Sequence, residues 1–182
     1  MRTPVTRLLV DPAPTLRRAY FESRFGQLHV YQAIPAGGGF DEAAAVVCIP
    51  AISSSGKFFQ PLLAPLGRDR SVYAVDLPGT GQSDGPSQAS PEQHASALLD
   101  FVLGMRLQLV NVLAHASVAG VVGEIRRLQP QRVGATALGT GAVVLSAAAR
   151  TRHFDFEPLQ GADSAAAARL AADLAAFFDT TR

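Results

Sequence analysis

The stretch that most constrains this chain is Val110-Asn111-Val112-Leu113-Ala114-His115-Ala116-Ser117-Val118-Ala119-Gly120. Its first half is a short apolar run, and its second half opens a segment with apolar residues at helical spacing. It reads as a buried strand, a sharp turn and a helix. A strand buried on both faces needs helices on both sides of its sheet, and such sheets are mostly parallel. Ala45-Val46-Val47-Cys48-Ile49, Ser71-Val72-Tyr73-Ala74-Val75 and Arg132 to Leu138 are runs of the same kind. Between them lie helical stripes: Phe58, Phe59, Leu62 and Leu63, then Leu98, Phe101, Val102 and Met105, then Val118, Val121, Val122, Ile125 and Leu128. This alternation predicts an α/β protein, a three-layer α/β/α sandwich on a mostly parallel sheet.

Local signals sharpen the outline. Ala19 to Gln32 alternates and is broken at Phe25-Gly26-Gln27, which predicts a β-hairpin. Pro35 to Gly39 is a glycine-rich loop, and Ser90-Pro91-Glu92-Gln93 carries a capping box with proline at the first helical position. With 182 residues, 48% of them apolar, the chain is long enough for one well-packed domain. Its net charge of +1 comes from interspersed signs, so no basic patch points to nucleic acid or to a membrane surface. The single Cys48 sits in an apolar run and suits a small core residue in a reducing compartment. No signal peptide is read at the N-terminus, and no apolar run is long enough to span a bilayer. A cytoplasmic location is expected.

More specific information lies in Asp76-Leu77-Pro78-Gly79-Thr80-Gly81-Gln82-Ser83-Asp84, directly after a strand. A phosphate-binding glycine loop opens into a helix, whereas Ser83-Asp84-Gly85-Pro86 does not. The pattern D-x-P-G-x-G-x-S-D instead resembles the loop after strand four of the α/β-hydrolases. Val110 to Gly120 resembles the strand, nucleophile elbow and helix of that family, and Pro130-Gln131-Arg132-Val133 is similar to its junction into the next strand. Phe154 to Asp163 resembles the last strand and its loop, and Ser164 to Phe178 resembles the closing helix, with Leu170, Leu174, Phe177 and Phe178 on one face. The resemblance implies a minimal α/β-hydrolase fold over residues 1–182, with an N-terminal extension at 1–18 and a closing helix at 163–179. A cap domain and the strand that carries the family's catalytic acid have no counterpart in this reading.

Two registers stand open at the elbow. Spacing to Pro130 puts Ala116 at the family's nucleophile position, which leaves no nucleophile there. Ser117 is the alternative nucleophile, but His115 then stands two residues before it, where the strained turn of the family needs almost no side chain. Pro50-Ala51, followed by Ile52, occupies the place of the family's His-Gly beside the oxyanion site. Asp163, after Gly161-Ala162, occupies the place of the catalytic histidine. The degenerate active-site positions are therefore Pro50, Ala51, Ile52, His115, Ala116 and Asp163. Acyl transfer needs a nucleophile, a base and a group that orients the base, and at least two of these are missing.

The other candidates carry less. No contact between His115 and Ser117 is expected, on the argument that neighbours at a strand end point to opposite sides. His115 is read as packed under the elbow on backbone groups, His29 and His94 as solvent-facing or structural, and His153 as alone in a loop. No metal-ligand spacing occurs. Ser53-Ser54-Ser55-Gly56-Lys57 reads as a capped, solvated turn, with anion binding by backbone donors as the functional alternative.

These readings lead to a hydrolase-fold protein that has lost hydrolysis, uses no cofactor, and binds a small apolar ligand or another protein above Pro50, Ile52, Ala116 and Ser117. The alternative is an esterase-like serine hydrolase using Ser117. A homodimer is expected, because loss of a cap and a strand should uncover apolar surface or an unpaired edge near Phe154 to Phe156. The competing expectation is that the alanine-rich segment from Ser146 to Arg150 folds back over the gap.

Overall fold

The computed structural model describes residues 13–38, 43–139, 151–160 and 163–180. Alternation gives a hairpin of β1 (Thr15–Ser23) and β2 (Gly26–Ile34), joined by the two-residue turn Arg24-Phe25. The strand thus begins inside the stretch assigned to an N-terminal extension, because Thr15 to Arg18 pair with Tyr31 to Ile34. The continuous apolar runs become β3 (Ala45–Ile49), β4 (Val72–Val75), β5 (Val110–His115) and β6 (Val133–Gly139). Four helices join them: α1 (Gln60–Leu66), α2 (Pro91–Gly104), α3 (Ala119–Leu128) and α4 (Ser164–Asp179). A last short strand, β7 (Thr151–Phe154), ends where the sequence pattern places a strand's beginning.

The strands form one sheet in the order β1-β2-β4-β3-β5-β6-β7. β1 and β2 are antiparallel to each other and β2 to β4, while every later pairing is parallel. Side chains alternate across the strands with period two. Val110, Val112 and Ala114 therefore join the core under α2 and α3, whereas Leu113 joins the core under α1 and α4. Helix α2 starts at the expected capping box: Ser90 Oγ accepts from Gln93 N at 3.3 Å, and Ser90 N donates to Gln93 Oε1 at 2.8 Å.

Some expectations change. Leu128 ends the stripe of α3 at 38% exposure, because the helix stops there and turns away from the sheet into Pro130. β7 closes the described sheet on an edge strand, but without apolar surface: Phe154 is 8% and Phe156 1% exposed, both packed into the core under α4. Residues 140–150 and 161–162, including the alanine-rich segment and Gly161-Ala162, lie outside the described residues. Among the described residues no helix is long and apolar enough to cross a membrane.

The glycine loop after β4 is fastened from inside. Asp76, with no exposed surface, accepts hydrogen bonds from Gly56 N, from Gln82 N at 2.9 Å and from His29 Nδ1 at 3.0 Å. Gly81, at φ +56°, lies so close that a Cβ there would enter the Asp76 carboxylate. Ser83 Oγ donates to Asp76 O at 2.7 Å and accepts from His29 N at 2.8 Å. One residue thereby joins β2, β4, the β3–α1 connection and the loop.

Two substitutions test this core. Val112, 1% exposed in the middle of β5, loses burial and leaves a small cavity on change to alanine. Val112→Ala costs about 1–3 kcal/mol in urea denaturation, and a change within about 0.5 kcal/mol, typical of surface positions, would contradict a central β5. Asp76→Ala leaves three inward donors without an acceptor and costs about 3–5 kcal/mol. A cost no larger than that of the exposed Asp173→Ala would show that the loop does not depend on Asp76.

Candidate functional site

In parallel α/β sheets, ligands and reacting groups gather at the carboxyl ends of the strands. Here that edge is made by Pro50 to Ile52 after β3, the loop from Asp76 after β4, His115 to Val118 after β5, Gly139 at the end of β6 and Asp155 to Leu159 after β7. Ala116 to Val118 form a single 3-10 turn between β5 and α3. The turn is relaxed. His115 enters it at φ −65°, and neither Ala116 nor Ser117 has a positive φ. The chain thus passes from strand to helix without the strained elbow that would single out one of them as nucleophile.

The geometry overturns one expectation outright. His115 and Ser117 are two residues apart, not adjacent, and Ser117 lies in the 3-10 turn that His115 caps, which brings the two side chains together. Ser117 Oγ donates to His115 Nδ1 at 2.7 Å, and Ser117 N donates to the same nitrogen at 3.2 Å. The imidazole caps the short turn, answering a backbone donor that the turn itself leaves open. With Nδ1 as double acceptor, a neutral ring carries its proton on Nε2. Among the described residues no carboxylate is hydrogen-bonded to that ring. Ser117 is exposed, whereas Ala116, at the position the resemblance gives to the nucleophile, is 5% exposed.

Asp163 is also committed elsewhere. It is the N-cap of α4, accepting from Ala165 N at 2.9 Å and from Ala166 N at 3.0 Å. These backbone donors, foremost Ala166 N, hold its carboxyl below the usual carboxylate range. Of the remaining positions, Pro50 is buried, Ala51 turns through a hydrogen bond from Ser54 N to its carbonyl at 2.9 Å, and Ile52 is 48% exposed.

Aromatic rings occupy much of the space between them. Phe58 meets the His115 ring edge-on at 6.4 Å between centroids, and Phe156 lies 6.1 Å from Phe58 and 5.7 Å from Phe59. Phe156 rests on the backbone at the end of β6, where Gly139 has no Cβ to obstruct the ring. His29 and His94 are each 1% exposed, so both are structural and neither faces solvent. His29 is paired with Asp76, while the His94 ring makes no hydrogen bond among the described residues, and burial pushes its pKa down. Cys48 is buried, which pushes its thiol pKa up and leaves it an inert core residue. Among the described residues no three His, Cys, Asp or Glu side chains converge as a metal ion would require.

A second concave region escaped the sequence reading. It lies beside the hairpin, with a volume of about 540 Å³, and is lined by Arg18, Tyr31, Ser55, Lys57, Gln60 and Gln82 over a floor that includes Asp76. Ser55 and Lys57 belong to the segment read as a capped turn, and Asp76 and Gln82 to the glycine loop after β4, but neither segment was read as part of a shared cavity. The backbone donor expected there, Gly56 N, is already bound to Asp76. The one available sign was the pairing of Arg18 with Tyr31 across the hairpin, which puts both on one face.

Comparison with known proteins gives the fold a family context. No family profile matches the chain. RutD of Yersinia enterocolitica, a protein assigned as a carbamate hydrolase, is 32% identical over 83 residues, which are 44% of this chain and 30% of RutD. Among solved structures, an epoxide hydrolase from Vigna radiata superposes with a TM-score of 0.61 at 16% identity, over 71% of this chain and 41% of that one. An α/β-hydrolase from Novosphingobium aromaticivorans gives 0.60 at 19% identity over 68% and 43%. Naproxen esterase from Bacillus subtilis gives 0.58 at 22% identity over 69% and 43%. The chain spans less than half the length of each of these proteins. Sheet order, loop and neighbours agree, and the chain has the α/β-hydrolase fold.

Proposed function

We propose that this chain is a non-catalytic protein of the α/β-hydrolase fold that serves as a binding module for a ligand or a protein partner. The observation that carries the reading is the use of the two decisive positions. Ala116 offers a buried methyl where the nucleophile would stand, and Asp163 spends its carboxylate on capping α4. The relaxed turn at Ala116 and Ser117 supports the same reading. So does the packing of Phe58 and Phe156 over the strand ends, which narrows the space a substrate would need. Ile52 and Ser117 are left exposed along this edge, and they mark where a partner or an apolar ligand would touch.

A second reading rests on the 2.7 Å contact between Ser117 Oγ and His115 Nδ1. Distance alone would let the imidazole act as a general base toward the hydroxyl, and the relatives with related folds carry the names of hydrolases. Two features weigh against it. The contact is the product of a short local turn, and no acid orients the ring among the described residues, whereas hydroxyl activation in this chemistry depends on a base held in place by a third group.

Turnover of a simple activated ester such as p-nitrophenyl acetate separates the two. The non-catalytic reading expects the wild type and Ser117→Ala to have the same rate, with any residual hydrolysis insensitive to the hydroxyl. A clear loss of turnover in Ser117→Ala would establish the serine hydrolase instead.

A further inference from the structure

We infer that the cavity beside the hairpin is an anion site for a small phosphomonoester. The inference is independent of whether Ser117 turns over an ester, because none of the residues used here belongs to the β5–α3 turn.

Charge is the first argument. Arg18 from β1 and Lys57 from the β3–α1 connection line one cavity, and neither has an ion-pair partner among the described residues. The wall also carries one carboxylate, Asp76, which sets a single negative charge against the two cations. It is fully buried, with its oxygens engaged by Gly56 N, Gln82 N and His29 Nδ1. The cavity lining thus carries one positive charge in excess, with both cations exposed and the carboxylate buried beneath them, which favours an anion.

Hydrogen-bond polarity is the second. Tyr31 has its pKa raised by partial burial and, after that, by the nearby Asp76 charge, so its hydroxyl stays protonated and can donate. Gln82 accepts from Tyr20 Oη at 3.2 Å through Oε1, which leaves its amide NH₂ as the free end of the side chain. Gln60 contributes a further carboxamide. Together with the guanidinium and ammonium, the wall offers mainly donors, so it fits a ligand rich in acceptor oxygens.

The same inventory selects the class. A carboxylate presents two oxygens and one charge, whereas a phosphate monoester presents three acceptor oxygens and close to two charges near neutral pH. Arginine supplies a planar fork for such a group and lysine a point charge. A cavity of about 540 Å³ also leaves room for a small organic group behind the phosphate.

Isothermal titration calorimetry on the full chain tests this with glycerol 3-phosphate, succinate and glycerol as probes. Saturable binding of glycerol 3-phosphate is expected in the micromolar to low millimolar range, with succinate weaker and glycerol inactive. Arg18→Gln and Lys57→Gln should each weaken binding about tenfold or more, without changing the melting temperature of the free protein, while the remote Arg106→Gln leaves binding intact. Three results would each overturn the inference: no saturable binding at millimolar glycerol 3-phosphate, binding by both cavity variants as tight as by the wild type, or succinate binding as tightly as the phosphate.

Discussion

The buried carboxylate of Asp76 is the constraint on which the described end of this sheet depends. It sits where β4 ends and gathers donors from His29 on β2, from Gly56 after β3 and from Gln82 in the following loop. Hydrogen bonds to an ionisable acceptor in a buried site are strong, and each donor left unmet there would be costly. Backbone must come very close for this to work, which explains two of the glycines. A Cβ at Gly81 would enter the carboxylate, and one at Gly56 would stand 2.6 Å from Ala74 O. The loop's Gln82 N–H is thus aimed inward at Asp76, and this glycine-rich segment acts as a clasp, not as a phosphate cradle.

Beyond that clasp, the edge is shaped by the turn after β5 and by the rings that follow β7. β5 ends at His115, and the 3-10 turn that follows carries Ser117 back onto the His115 ring without a positive φ. Strain at a nucleophile is a cost that the surrounding structure must hold in place for function. Here Ala116 is small enough to be buried under a relaxed turn, and Phe156 settles on Gly139 at the end of β6. The last described strand lies directly beside β6, and its following residues fill space at the strand ends with rings.

Legibility in the sequence followed the physics of each element. β3, β4, β5 and β6 were readable because strands buried on both faces are continuous apolar runs, and the start of α2 because Ser90 and Gln93 satisfy each other's backbone donors. β7 was displaced in the reading because Thr151-Arg152-His153-Phe154 buries only its last residue and shows no apolar run. The His115–Ser117 contact was not legible because the 3-10 turn after β5 makes it, where strand alternation no longer decides which side a residue faces. The cavity beside the hairpin draws Arg18, Tyr31, Lys57, Gln60 and Gln82 from four separate segments. Beyond the hairpin pairing of Arg18 with Tyr31, no local pattern joins such residues, and it is the sheet order that sets the hairpin beside β4 through β2.

The account's central claim is that the fold persists here without an activated nucleophile. Intact-mass spectrometry after exposure to a fluorophosphonate, which captures serines whose hydroxyl is activated, tests it most directly. The account predicts an unmodified mass under conditions that fully label a known serine esterase. A stoichiometric adduct that maps to Ser117 and disappears in His115→Ala would contradict it.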